Sequence, residues 1–62
     1  KMKKSFILHS AVDGTELLVP RDSLDYAYVD NDDNTIAVIL SNEFAVTESM
    51  AEIADNLEEM ED

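Results

Sequence analysis

The feature that most restricts this chain is a change of hydrophobic period at Ser49. Over residues 35–40 the pattern alternates, with Ile36, Val38 and Leu40 on one side and Thr35, Ala37 and Ile39 on the other. After Ser41-Asn42-Glu43 the alternation resumes at Phe44 and Val46, as in two arms of a hairpin. Beyond Ser49 the apolar residues Met50, Ile53, Ala54, Leu57 and Met60 recur every three or four positions, which places them on one face of a helix over 49–60. Ser49 and Glu52 have the spacing of a capping box, in which each side chain bonds the other residue's amide. Opposite the apolar stripe the pattern predicts an acid row of Glu48, Glu52, Asp55, Glu59 and Asp62. At a rise of about 1.5 Å per residue its members stand roughly 5–6 Å apart.

Upstream, residues 5–12 read as a first strand, Asp13-Gly14 as a two-residue hairpin turn and 15–19 as the return strand, ended by Pro20. Leu24, Tyr26 and Tyr28 alternate with Asp25, Ala27 and Val29 in a third strand over 24–29; 35–40 and 43–47 are the fourth and fifth. The connections are too short for parallel crossovers. The expectation is an α+β domain, a five-stranded antiparallel meander with a C-terminal amphipathic helix. One sheet face would carry Phe6, Leu8, Leu17, Val19, Leu24, Tyr26, Tyr28, Ile36, Val38, Leu40, Phe44 and Val46. The other would carry Ile7, Ala11, Leu18, Ala27, Val29, Ala37, Ile39 and Ala45. One helix cannot cover both, so the sheet is expected to curl into a partial barrel or to meet a second subunit. Pattern alone does not decide which face the helix takes.

The runs that fix this layout also resemble a known family. TIAVILSNEFAVTESMAEIADNL is similar to the end of the small FlbD-type flagellar and swarming-motility proteins, where an apolar strand, a tight turn, a strand ending in Val-x-Glu-Ser and an acidic helix follow in that order. VDGTELLVP resembles that family's leading hairpin and second strand. The resemblance implies the fold and brings with it no catalytic or ligand-binding residue.

A single domain of 62 residues hides only about 60% of the surface its unfolded chain exposes, and without cysteine no disulfide or thiolate metal site can reinforce it. Self-association is therefore expected. Hydrophobic residues make up 45% of the chain, enough for a folded core. The net charge is −11, and beyond the three N-terminal lysines only Arg21 stands against fifteen carboxylates, −14 over 5–62. Such a field opposes direct contact with nucleic acid or an anionic membrane and favours a basic or mixed protein surface. Lys3 and Lys4 precede Phe6-Ile7-Leu8, but the apolar run ends at His9, too short for a secretory signal; Met2 reads as the natural start and the cytoplasm as the location.

Chemistry-bearing patterns are sparse. His9 has no nucleophile motif to serve and is expected to be structural or simply exposed. Asp30, Asp32 and Asn34 fall at the first, third and fifth places of a calcium loop, but Thr35 and Ser41 replace its glycine and its bidentate glutamate, so a solvated turn is the better reading. Gly14 is the only glycine, which excludes a phosphate-cradling loop. No catalytic residue, cofactor or metal site is expected. Tyr26 and Tyr28 read as core residues or, where exposed, as interface anchors. With the acid row they are the candidate partner-binding residues of a non-enzymatic binding module. The alternative role is an inhibitor whose carboxylate ladder imitates nucleic-acid phosphates.

Overall fold

A computed structural model describes residues 5–59. Met60, Glu61 and Asp62 lie outside the described residues. The order is β1 (Ser5–His9), β2 (Glu16–Pro20), a 3-10 turn (Arg21–Ser23), β3 (Leu24–Val29), β4 (Thr35–Ile39), β5 (Asn42–Val46) and α1 (Met50–Glu59). The expected five antiparallel strands and C-terminal helix are all present, and the domain is α+β. The single curled meander is not. β1 and β2 form one two-stranded sheet, and β3, β4 and β5 form another in that order. The break falls at Pro20, which has no amide to donate, and at the 3-10 turn that follows it.

The two sheets meet where β1 ends. The Ala11 amide donates to the Ala45 carbonyl and the Thr47 amide to the His9 carbonyl, each at 2.9 Å, with Ser10 bridged to Val46 between them. This changes the first connection. Ser10 turns toward β5, so 10–15 is a six-residue loop rather than a two-residue Asp-Gly turn, with Ser10–N donating to the Thr15 carbonyl and Gly14 at φ +78°. Asp13 caps the loop by accepting from the Thr15 amide at 3.0 Å.

The core is Phe6, Leu8, Val19, Ala37, Val46 and Ile53, with Leu17, Leu24, Ala27, Ile39 and Leu57 packed around it. It combines the Phe6, Leu8, Leu17 and Val19 face of the first hairpin with the alanine-bearing face of β3 and β4. The cross-strand pairs explain the mixture: Ala37 stands opposite both Ala27 and Phe44, and Thr35 opposite Val46, so these residues share a face. Tyr28, Ile36 and Ala45 share the other. Leu24 belongs with Ile39 and Tyr26 with Val38, neighbours on β4 that point oppositely; a bulge at Asp25 therefore separates Leu24 from the two tyrosines with which simple alternation groups it. The first hairpin and α1 thus cover one face of the three-stranded sheet without its curling.

The β4–β5 turn also differs. Its central residues are Leu40 and Ser41, at φ 50° and 71°, between the paired Ile39 and Asn42. Leu40 is 67% exposed, not a core residue of β4. Two positive φ values are what a tight primed turn needs, and it is made here without Gly or Asn at either place. The Leu40 amide donates to the Ser23 carbonyl at 3.0 Å and the Ser41 amide to Asp25 Oδ2 at 2.9 Å, so contacts from the 3-10 turn and the start of β3 hold the strained turn.

Candidate partner-binding surface

The helix begins as its sequence directs. The Ser49 amide donates to Glu52 Oε1 at 2.8 Å and the Glu52 amide to Ser49 Oγ at 3.1 Å, a complete capping box. Ile53 is buried and Leu57 half-buried against the core, while Met50 and Ala54 remain exposed. The expected apolar stripe is thus split into a covered side and an exposed one; Met60 lies outside the described residues.

Among its described members, Glu48 and Glu52 of the acid row are engaged in contacts within the chain. Glu48 precedes the helix, and its carboxylate clasps His9: Oε1 accepts from the His9 amide at 2.9 Å and Oε2 meets Nδ1 at 2.6 Å. In effect the carboxylate continues the β1–β5 ladder one step beyond Thr47, then bonds the imidazole as well. Glu52 is engaged in the capping box, and Asp55 is exposed on the helix. The side chain of Glu59 and all of Asp62 fall outside the described part.

His9 is half-exposed, and its far nitrogen, Nε2, lies 3.9 Å from Glu16 Oε2 across the β1–β2 pair. The bond to Glu48, helped by the charges of Glu48 and Glu16, raises the imidazole above its ordinary pKa. Desolvation opposes ionisation of Glu48, but hydrogen bonds from the His9 ring and amide outweigh it and hold the carboxyl below the usual range. Both ring nitrogens therefore face carboxylates, an arrangement that ties β1 to the approach of the helix.

The calcium-loop pattern resolves into turn chemistry. Asp30 Oδ1 accepts from the amides of Asp32 and Asn34, both at 2.9 Å, and those bonds lower its pKa. Asp33 takes φ 65°. No group of three or more His, Cys, Asp or Glu suited to a metal occurs among the described residues.

Two open surfaces remain. On the outer face of the three-stranded sheet the Tyr26 and Tyr28 rings lie 6.1 Å apart between centroids; Tyr26 is 58% exposed, while Val38, opposite Tyr26 on β4, is covered to 4%. Partial desolvation and the nearby Glu43 carboxylate push the Tyr28 phenol upward in pKa. The second surface is a groove of about 500 Å³ between α1 and β3. Leu24, Ala27, Ile53 and Leu57 give it an apolar lining with Met50, Ala54 and Tyr26, and Arg21, Asp22 and Asp25 supply its charges. Sequence reasoning found the tyrosines but missed Asp22, Asp25 and the exposed Leu40. Asp25 stands at the bulge and Leu40 in the glycine-free turn, neither of which leaves a local signal, and Asp22 lies in the 3-10 turn.

No family model, curated protein or solved structure matches the chain. The likeness to the FlbD-type proteins rests on the residues quoted for it. No helix among the described residues is long and apolar enough to cross a membrane.

Proposed function

We propose that this chain is a non-enzymatic acidic protein-binding module of the cytoplasm, a component of a larger bacterial or phage assembly, in keeping with its resemblance to small motility-associated proteins. The observation that carries the reading is the open outer sheet face, where Tyr26 and Tyr28 lie together beside Ile36 and Ala45. Tyrosines bury large area with little loss of rotamer freedom and anchor interfaces effectively. The net charge of −11 directs such a surface to basic or mixed partners. A second apolar patch, the cross-strand pair Ile7 and Leu18, 41% and 67% exposed on the outside of the first hairpin, offers a place for self-association.

The phosphate-imitating inhibitor has less support, because Glu48 and Glu52 are committed to His9 and to the helix cap. Capture of a partner from the source cell by the immobilised chain tests the main reading. Tyr26→Ser should abolish capture, and an excess of duplex DNA should leave it intact. Capture unaffected by Tyr26→Ser but competed by DNA would reverse the preference between the two roles. Light scattering should show a dimer or larger species that Leu18→Ser reduces to monomer; a monomer at every concentration would remove self-association from the proposal.

A further inference from the structure

We infer that the groove between α1 and β3 receives a short basic amphipathic helix from a partner protein. The inference rests on the binding-module reading and assigns that module a specific site. The groove follows α1 from Met50 to Leu57, two helical turns or roughly 10 Å. Met50, Ala54 and Leu57 line the helix side of the groove along one stripe of α1, and the small Ala54 permits close approach. An apolar channel of this length suits side chains at i, i+3 or i+4, and i+7 of an incoming helix.

Charge complementarity decides the occupant. Asp22 and Asp25 stand at the groove, and with Arg21 they leave it locally negative within a strongly anionic chain. Asp25 is held in place by the Ser41 amide, so its carboxylate is fixed before any partner arrives. The same bond ties Asp25 to the Leu40–Ser41 turn. A second copy of this chain is the poorer occupant, since it would bring a further charge of −11 against these aspartates.

The test is an NMR titration of the ¹⁵N-labelled chain with a synthetic helix of leucines at i, i+3, i+4 and i+7 and lysines elsewhere, at physiological salt. A peptide with the same lysines but serine in place of leucine is the control. Amide shifts should concentrate at Leu24, Ala27, Ala54 and Leu57. The control should bind at least about tenfold more weakly, as should the leucine peptide to the Asp22→Asn/Asp25→Asn variant, in which asparagine retains an acceptor for the Ser41 amide. Shifts confined to Tyr28, Ile36 and Ala45, on the outer sheet face and away from the groove lining, would overturn the groove assignment while leaving the binding module standing. Equal binding of both peptides, or no binding, would also overturn it, and the partner-capture experiment would then judge the module separately. Concentration-dependent shifts of the groove residues without peptide would give the site to a second copy.

Discussion

At the scale of single residues, the carboxylate of Glu48 has become a structural part. By bonding both the amide and the ring of His9, it fastens the end of β1 to the link between β5 and α1. The pH dependence follows from the two shifts. His9 is raised above 6.5, so its stabilisation is complete below that pH and is lost as pH rises through the folded value. Glu48 is lowered below 4.5, so its contribution is present above that pH and lost as pH falls through the folded value. The clasp is therefore strongest between about pH 4.5 and 6.5. Thermal unfolding should show a higher Tm at pH 6 than at pH 8.5, and His9→Asn should remove most of that difference; an unchanged slope in the variant would disprove the clasp. The β4–β5 turn makes a second prediction. Ser41→Gly relieves one positive φ and should stabilise the chain by about 0.5–1 kcal/mol, raising Tm by roughly 2–8 °C. A fall in Tm would show that the serine side chain contributes more than its backbone costs.

At the scale of elements, the sequence is clearest where local chemistry acts alone. Ser49 and Glu52 bond each other as their spacing requires, and the helix starts where they place it. Ser49→Ala should cost about 1 kcal/mol and lower helical ellipticity, whereas Asp55→Asn, on the exposed side, should shift stability by less than about 0.5 kcal/mol. Equal effects from the two would count against the cap. Strand positions were legible from alternation to within a few residues; faces were legible within the first hairpin and between Tyr26, Tyr28, Ile36 and Val38, but not for Leu24, Leu40, Phe44 or Val46. One inserted residue reverses every side chain beyond it, and the bulge at Asp25 does this between Leu24 and Tyr26. The turns were legible only in part. Gly14 does take positive φ, but Ser10 and Ala11 bond across to Ala45 and lengthen the loop. Leu40 and Ser41 carry no turn signature, because tertiary bonds from Ser23 and Asp25 impose the geometry.

At the scale of the whole molecule, two thin layers share one core: the first hairpin supplies Phe6, Leu8 and Val19, the three-stranded sheet Ala37 and Val46, and the helix Ile53. So small a core has little reserve. Leu8 is fully buried, and Leu8→Ala should cost about 2–5 kcal/mol, comparable with the entire stability of a chain this short. Folding the hairpin over the alanine-bearing face is also what leaves the tyrosines outside and opens the groove beside α1, so these two of the proposed contact surfaces depend on it. Methyl and aromatic NOEs in solution test that arrangement most directly. The two-layer core predicts NOEs linking Leu8 and Val19 to Ala37, Val46 and Ile53, with the Tyr26 ring near Val38, the Tyr28 ring near Ile36 and both distant from Phe6. NOEs from Tyr26 or Tyr28 to Phe6 and Leu8, or a β2–β3 ladder, would contradict it.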